Sequence, residues 1–422
     1  MWGTRAISVV CVVAALSTGL LWQAPASAQV DDILGPQAFA GSIDLRASVA
    51  GGETGWLDGG FGKLSDGGGN GDERAHARIA AADLAWKPQF SFNASGLVSV
   101  VHQHGQSKPV DLSEAFLSYR TNPAATRFSA RAGIFWPPVS EEHSGSMWQV
   151  TDSITPSAVN SWISEEVKVL GFEGKLERHF GEHKLALTAA VFEHDDMAGT
   201  LLAYRGWALH DVRTTVWSHF PLPPLSPSRA PYQAPQTNPF WETDGRAGYY
   251  ARVDWQTPWP VSVNLFRYDN RGDQISSYDE QTAWRTRFWN AGMMASLGSR
   301  TVAKAQVLWG NTRVGPETPF GYPSDVDFAA AYLLLTRELG GGKLSARGDW
   351  FMTHDNSYVA SDDNNEHGWS GMLAYKHPVT RFADVLVELL HVESERPMRL
   401  VNAGIAPQQN QTQLQTALRV GF

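Results

Sequence analysis

Charged side chains recur at alternate positions within segments that are otherwise rich in apolar residues. Arg127 and Arg131 lie four residues apart in one such segment, with Ser129 between them. In an extended chain successive side chains point to opposite sides, so both guanidinium groups would project from the same face. Arginines that line a narrow, water-filled passage attract anions. This pair is therefore our first candidate for a site that biases ion passage.

The same alternation places further charged side chains on inward faces. The predicted inward cations are Arg46, Arg252, Lys304, Arg347 and Arg419, and the predicted inward acids are Asp44, Asp254, Asp349, Asp384 and Glu388. Opposing rows of charge would orient water and polar solutes in a bore. The alternative is that each charge pairs with a neighbouring strand and only stiffens the wall.

Other kinds of chemistry lack a defining motif. His102 and His104 share a strand face, but no third ligand accompanies them, so we predict no metal site. The acidic stretches 66–72 and 362–366 lack the spacing of a calcium loop and are interpreted as hydrated loops. No nucleophile elbow is present, so we predict no enzyme and no cofactor. A lipase or protease embedded in a barrel is the alternative from another class.

Strands are needed to hold these side chains, and the hydrophobic pattern predicts them. The segment 185–191 carries Leu, Leu, Ala and Val on one face and Ala, Thr and Ala on the other. The segments 246–255, 343–352 and 383–389 alternate in the same way. After residue 28, no segment is apolar for the length that a spanning helix requires. The pattern predicts an all-β chain.

Connection lengths distinguish a membrane barrel from a soluble sandwich. Every second link is tight, as at 121–125 and 181–183, and the links between them are mostly long, as at 137–163. This arrangement is typical of an antiparallel transmembrane β-barrel with short periplasmic turns and long extracellular loops. We predict about sixteen strands. They lie at 38–50, 73–86, 89–103, 110–120, 126–136, 164–180, 183–194, 244–256, 261–269, 284–297, 301–310, 325–338, 343–354, 366–376, 381–393 and 412–422.

The segment 195–243 leaves the strand count open. A hairpin within 201–219 would raise the count to about eighteen. Prolines from Pro221 onward break any ladder that follows, so we assign the whole segment to one long Pro-rich extracellular loop. In an alternative interpretation the stretch 221–239 plugs the lumen, and the closed barrel serves as an adhesin or anchor.

The first 28 residues have the organisation of a cleaved signal peptide. Arg5 precedes the apolar segment 6–21, and Ala26-Ser27-Ala28 matches a cleavage site. We therefore expect export, with residues 29–422 forming a single barrel domain in the outer membrane of a Gram-negative cell. Cys11, the single cysteine, lies in this leader, so disulfides and cysteine-bound metals are not expected in the mature chain. The net charge of -9 argues against nucleic acid as a partner.

The last predicted strand carries a more specific signal. Its outer face consists of Leu414, Thr416, Leu418, Val420 and Phe422, and the sequence stops at this aromatic residue. The segment resembles the C-terminal β-signal of bacterial outer-membrane proteins. That resemblance implies that the barrel-assembly machinery reads Phe422 and that the barrel is embedded in outer-membrane lipid.

A second resemblance concerns the end of the fifth predicted strand. The run Ala132–Ser140, with Pro137-Pro138, resembles the strand end of the phosphate-selective porin O and P family. The resemblance implies a sixteen-stranded homotrimer whose bore is lined by basic residues that select anions. Ile134 replaces the usual lysine, and acidic residues dominate the following segment, so phosphate selectivity does not carry over. These acids are Glu141, Glu142, Glu165 and Glu166.

The combined prediction is a porin. A barrel of about sixteen strands encloses more space than its own side chains fill, so the lumen would hold water unless a loop blocks it. We expect a constriction loop at 137–163 and passive diffusion of small hydrophilic solutes or ions, with Arg127 and Arg131 favouring anions. Small outward residues would allow close contact between the walls of a trimer. These are Ala247, Ala251, Ala303 and Ala305.

Overall fold

The chain forms a closed barrel of sixteen antiparallel strands. The structure is a computed structural model that describes residues 33–69, 72–359 and 361–422, so the predicted signal peptide lies outside the described residues. The barrel strands, labelled β1 to β16, are Phe39–Ala50, Arg74–Trp86, Ala94–Gln103, Asp111–Arg120, Thr126–Phe135, Val169–Phe180, His183–Glu193, Gly248–Gln256, Val261–Asp269, Arg285–Ser296, Thr301–Val314, Ser324–Leu339, Gly342–Asp355, Glu366–Thr380, Ala383–Glu395 and Gln408–Gly421.

The barrel closes because the first and last strands pair with each other. Ile43 of β1 lies opposite Val420 of β16, and Val49 lies opposite Leu414. Closure pairs the backbone groups that an open edge would leave unsatisfied in an apolar surrounding. At Gly41 an added Cβ would lie 2.5 Å from the Phe422 ring, so the terminal aromatic ring packs directly on a glycine.

The two faces of the wall differ as the alternation predicts. On β16, Leu414, Leu418 and Val420 point outward and are exposed, whereas Gln413 and Gln415 point inward and are buried. Exposed aromatic residues lie near both ends of the wall, as in the aromatic belts of membrane barrels. The belt at the end with short turns, here called the short-turn end, includes Phe128, Phe180 and Trp255, and the belt at the opposite, long-loop end includes Trp289, Trp309, Trp350 and Trp369.

All sixteen predicted strands coincide with observed ones, and the largest differences lie at the starts of β3 and β6. The predicted strand 89–103 begins at Ala94. The predicted strand 164–180 begins at Val169, because the preceding residues form helix α1, Ala158–Glu166. The Ser157 side chain caps this helix by accepting a hydrogen bond from the Asn160 amide. No barrel strand lies within 201–219, which excludes the eighteen-stranded alternative for the described residues.

Parts of two long connections enter the barrel instead of remaining outside it. The first inner loop, residues 136–168, contains α1, whose residues are all buried against β11, β12 and β13. The second inner loop, residues 194–247, contains the short helix α2, Thr200–Tyr204, which is also buried. This placement differs from the predicted extracellular position of 195–243.

The remaining elements lie in the connections. A third helix, α3, spans Met398–Ala403. Three two-stranded ribbons pair His143–Ser144 with Gln149–Val150, Phe220–Pro221 with Gln236–Thr237, and Ser277–Tyr278 with Gln281–Thr282. No helix within the described ranges is long and apolar enough to cross a bilayer.

Candidate functional site

The inner wall of the barrel holds the charged side chains that the sequence placed there, and most are neutralised by ion pairs. Three arginines each contact two carboxylates: Arg46 contacts Asp44 (2.7 Å) and Asp211 (2.6 Å), Arg252 contacts Asp254 (2.7 Å) and Glu141 (3.1 Å), and Arg347 contacts Asp349 (2.8 Å) and Glu142 (3.3 Å). The other pairs are Arg131 with Glu173 (2.8 Å), Lys304 with Asp152 (2.8 Å) and Arg419 with Asp44 (2.8 Å). The wall-stiffening interpretation therefore applies to most of these groups.

The two arginines that we selected first have different surroundings. Arg131 contacts Glu173 through both Nε and Nη2, and its guanidinium lies 4.0 Å from the centre of the Phe135 ring. Its charge is therefore compensated within the wall. Arg127 lies nearer the short-turn end of β5, is only partly buried, and forms no ion pair among the described residues.

Arg127 belongs to a group of charges that we call the short-turn cluster: Arg127, Lys175, Glu177 and Lys184. Arg127 lies directly opposite Glu177 in the pairing of β5 with β6. The Glu177 carboxylate also contacts Lys184 at 2.9 Å and Lys175 at 3.7 Å. Three cations thus share one carboxylate on the inner wall, and their partly exposed side chains give this end of the lumen a local positive excess.

A second basic group lies across the same end of the lumen. Asp152 of the first inner loop contacts Lys304 at 2.8 Å and Lys343 at 3.5 Å. The Lys343 side chain is about half exposed. Burial alone would raise the pKa of Asp152, but the two lysines lower it, so the carboxylate is ionised at neutral pH. Two lysines around one carboxylate leave a further positive excess.

The predicted acidic residues of the constriction loop fasten that loop to the barrel. Glu141 accepts a hydrogen bond from the Asn264 amide at 2.7 Å and pairs with Arg252. Glu142 accepts hydrogen bonds from the Ser157 backbone N–H at 2.9 Å and from the Asn160 side chain at 2.6 Å. These carboxylates are therefore occupied by protein donors and do not form a free acidic ring.

Glu165 and Glu166, at the end of α1, connect the two inner loops. Glu165 pairs with Arg205 at 2.6 Å and contacts His210 at 2.7 Å. Burial alone would raise its pKa, but these two partners lower it to about 2. Glu166 accepts hydrogen bonds from the backbone N–H groups of Gly199 and Leu201 at the start of α2. Burial raises the pKa of Glu166 to about 7.

An apolar core fills the lumen around α1. The Trp162 ring lies 5.2 Å from the Phe288 and Phe328 rings of the wall and 6.0 Å from the Trp207 ring of the second inner loop. These side chains are almost completely buried. Inward aromatic residues on β10 and β12 therefore pack against the loops instead of facing water.

The second inner loop reaches across the lumen to several strands. Asp211 pairs with Arg46 of β1, and Arg213 pairs with Asp83 of β2 at 2.8 Å. The Trp207 backbone N–H donates to Glu366 of β14 at 2.9 Å. Lys63, from the connection between β1 and β2, also pairs with Glu366. Burial lowers the pKa of Lys63 to about 7, although Glu366 opposes that shift.

The inner loops cover inward side chains at mid-height in this conformation. A cavity of about 40 Å³ lies among Asp44, His143, Trp148, Arg213 and Arg419. Since one water needs about 10 to 15 Å³ of such cavity volume, the cavity holds only a few waters. The inward side chains Arg46, Arg347 and Glu388 are 6%, 4% and 0% exposed, although an open bore would leave them in contact with water.

The sequence did not reveal that residues of the second inner loop belong to this site. One signal was available, because the segment 201–209 contains Leu, Leu, Ala, Tyr, Trp, Ala and Leu. Such apolar content is unusual in a loop that only contacts water. The Pro-rich stretch 221–239, which we considered as a plug, begins after the inserted part, and its Arg229 contacts Asp362 at 2.6 Å.

Potential ligands for metals cluster where the two ends of the second inner loop meet the wall. Glu193, His194 and Glu242 form one group, and Asp196, Glu242 and Asp244 form another. Backbone N–H groups already donate to the Asp196 and Glu242 carboxylates. His102 instead contacts the Pro109 carbonyl through Nδ1 at 2.6 Å. These contacts supply no reason to assign a metal.

Comparisons with known proteins support the fold. The sequence matches no protein-family profile and no curated protein. The outer membrane channel DcaP of Acinetobacter baumannii matches with a TM-score of 0.53 and 9% identity, over 92% of this chain and 98% of that chain. Pseudomonas putida OprB and an anion-selective porin from Comamonas acidovorans give TM-scores of 0.48 and 0.47 at 10% identity, covering 92% and 91% of this chain and 94% and 98% of theirs. At such low identity the DcaP likeness shows a shared barrel fold alone, and none of these matches identifies the phosphate-selective porin O and P family.

Proposed function

We propose that this chain is an outer-membrane channel for small hydrophilic solutes or ions. The observation that carries the proposal is a closed sixteen-stranded wall that is apolar outside and charged inside. Such a wall suits a bilayer on one side and water on the other. The DcaP match, described as an outer membrane channel, agrees with this proposal at the level of fold.

In the proposed channel, the conformation described here is the closed state. The two inner loops fill the lumen through side-chain and backbone contacts, whereas the barrel strands hydrogen bond to each other. Withdrawal of the loops therefore does not require the wall to break. The short-turn cluster and the group around Asp152 would then face the permeating ion, and their positive excess would favour anions.

Ion selectivity in planar bilayers tests this proposal. The purified mature chain is expected to give discrete open events and a reversal potential on the anion-selective side in a potassium chloride gradient. Replacing Arg127, Lys175 and Lys184 with alanine is expected to shift the reversal potential toward cations. The matched control removes three exposed cations that lie outside the short-turn cluster, with Arg178, Arg337 and Arg381 changed to alanine, and should leave the potential unchanged.

A closed barrel that serves as an adhesin or anchor is the second candidate, because the inner loops fill the lumen. The absence of conductance in the bilayer would favour this second candidate only if the chain still gave no conductance after the second inner loop had been shortened. If the cluster variant opens with the same reversal potential as the unaltered chain, the channel proposal stands and the proposed anion selectivity is wrong.

We also propose that the chain is not an enzyme and that it assembles as a trimer. The sequence contains no nucleophile elbow, which supports the first statement, and small outward residues such as Ala251 would permit close wall contact. Assays with ester and peptide substrates test the first proposal. Sedimentation in detergent tests the second, where a monomeric mass would contradict it.

A further inference from the structure

Four arginines crowd the outer wall at the long-loop end of β9, β10 and β11. We call Arg267, Arg285, Arg287 and Arg313 the outer-wall patch. They share the outward face with the exposed side chains of Trp289 and Trp309. In the strand pairing, Arg267 lies opposite Trp289, and Arg285 lies opposite Arg313. The pairing thus gathers side chains from three strands into one area of the wall.

The positive charge of the patch is only partly neutralised. Arg285 contacts Asp269 at 3.5 Å, whereas Arg267, Arg287 and Arg313 form no ion pair within the described parts of the chain. The charged groups that act on the Arg287 guanidinium include three cations, Arg313, Arg285 and Arg267, and one acid, Asp269. The whole chain has a net charge of -9, so this local excess of cations runs against its overall charge.

The nearby carboxylates are directed to other partners. Asp325 and Asp327 accept hydrogen bonds from the Asn311 amide at 2.6 and 2.9 Å. Asp327 also accepts a hydrogen bond from the Asn356 amide at 2.9 Å. The Asn311 side-chain oxygen in turn accepts a hydrogen bond from Nε of Arg313 at 3.1 Å. Among the described residues the guanidinium groups of Arg267 and Arg287 have no carboxylate partner, so their donors are available to an external anion.

A groove of about 370 Å³ runs along this part of the wall. Its lining combines Trp289, Trp309 and Met352 with Arg267 and Arg287, and Asp327 is the one acid in it. The Arg267 guanidinium lies 5.2 Å from the centre of the Trp289 ring. Stacking on an aromatic ring holds a guanidinium while its N–H donors remain free at the edge. The groove therefore offers an apolar surface beside positively charged hydrogen-bond donors.

The height of the groove on the wall indicates which molecule reaches it. Trp289 and Trp309 belong to the aromatic belt at the long-loop end, and such belts mark the level of the lipid headgroups. Arg285, Arg287 and Arg313 lie farther toward the long loops than these tryptophans. A lipid beside the wall would thus place its chains on the tryptophans and its headgroup among the arginines. Arginine forms paired, charge-assisted hydrogen bonds with phosphate.

We propose that the outer-wall patch binds the phosphate group of an anionic lipid in the outer leaflet, with the lipid chains against Trp289, Trp309 and Met352. The inference rests on the proposed location in the outer membrane, and it does not require an open lumen. A phosphate-bearing lipid fits both halves of the groove, whereas free phosphate would use only the arginines.

Binding of lipid A, a phosphorylated glycolipid, tests the proposal. Native mass spectrometry of the full mature chain in detergent would compare lipid A with its dephosphorylated form. The unaltered protein is expected to retain lipid A and to bind the dephosphorylated form about tenfold less well or worse, because charge-assisted hydrogen bonds are lost. Equal retention of both forms would overturn the proposal without any variant.

Variants locate the site. Changing Arg267, Arg287 and Arg313 to alanine is expected to lower lipid A retention by about tenfold or more. The matched control, with Arg178, Arg337 and Arg381 changed to alanine, removes three exposed arginines from the short-turn end and should bind as the unaltered chain does. Heat-dependent migration on gels confirms that each variant forms a barrel. Equal loss in both variants would contradict a site at the outer-wall patch.

Two further measurements separate other occupants. Millimolar inorganic phosphate should not displace lipid A, and full displacement would mean that the patch is a site for the free anion. Sedimentation should give the same oligomeric mass for the patch variant and the unaltered chain, whereas a lower mass would identify a second copy as the occupant. If the patch variant conducts normally, the channel proposal stands whatever the result for lipid binding. If the unaltered chain binds lipid A but never conducts, the channel proposal is wrong and the lipid proposal stands.

Discussion

Single charged residues in the lumen have different functions although the sequence places them alike. Arg46, Arg131 and Arg347 are held by carboxylates and support the closed packing. Arg127 forms no ion pair among the described residues, so its positive charge still contributes to the electrostatic potential in the lumen. Because a neutralised cation contributes little to the potential, the short-turn cluster, whose three cations outnumber its one carboxylate, should dominate ion selectivity.

Glu166 makes docking of the inner loops depend on pH. Its pKa is raised from 4.5 to about 7 by burial, so the docked state binds the proton more tightly than the undocked state does. Docking is then most favourable below pH 4.5 and weakens as the pH rises to about 7. The whole shift corresponds to about 3 kcal/mol. We expect more frequent opening at pH 7.5 than at pH 5, measured as open probability in bilayers.

The Glu166→Gln variant isolates this contribution. Burial holds the pKa of His143 well below its ordinary value, so His143 affects docking in the opposite direction at acidic pH. The difference between the unaltered chain and the variant removes the effect of His143. A glutamine cannot ionise, so the part of the pH dependence due to Glu166 should disappear. Identical pH profiles would show that Glu166 does not control docking.

Asp211 provides a separate test of docking. Burial alone would raise its pKa, but the Arg46 guanidinium holds the pKa well below its usual range. In the Asp211→Asn variant, Arg46 retains Asp44, so the wall is preserved while the second inner loop loses an anchor. We expect docking to weaken by about 1 to 3 kcal/mol, seen as faster hydrogen exchange in 205–216. The variant Asp279→Asn, in a connection outside the second inner loop, is the control and should exchange as the unaltered chain does.

At the scale of elements, the wall and the inner loops are separable. The strands satisfy their backbone groups by pairing with adjacent strands, whereas the second inner loop is held by contacts such as Asp211 with Arg46 and the Ser161 hydroxyl with the His210 carbonyl. Replacing 196–216 with a short Gly-Ser linker should leave the barrel folded and increase conductance several-fold. Shortening 224–234 within the Pro-rich stretch is the control and should not do so.

The elements also show what local sequence can predict. The wall was predictable because each strand repeats one rule, in which alternate residues face opposite environments. Helix α1 was missed at 164–166 because Glu166 is satisfied by backbone N–H groups of Gly199 and Leu201, far away in the sequence. Its short length and mixed composition gave no strong helical period. Loop insertion depends on such distant contacts, which no sequence window contains.

At the scale of the whole molecule, closure of the barrel depends on the contact between its two terminal strands. Phe422 packs on Gly41, and β16 completes the ring with β1. If the assembly machinery reads this aromatic residue, Phe422→Ala should lower the amount of barrel recovered in outer-membrane fractions. The variant Phe382→Ala removes another exposed aromatic residue at the short-turn end and serves as the control. Equal recovery of both variants would contradict a specific role for Phe422.

Because β1 pairs with β16, every strand of the wall has two paired neighbours, and any strand could be the first in the sequence. A permuted gene that joins the present ends with a short linker and cuts the turn at Gly181 would begin with β7 and end with β6. That new last strand alternates Phe172, Leu176 and Phe180 on its lipid side and stops at a phenylalanine. The rearranged polypeptide should rebuild the same cylinder, because neighbours in a circle do not depend on where counting starts.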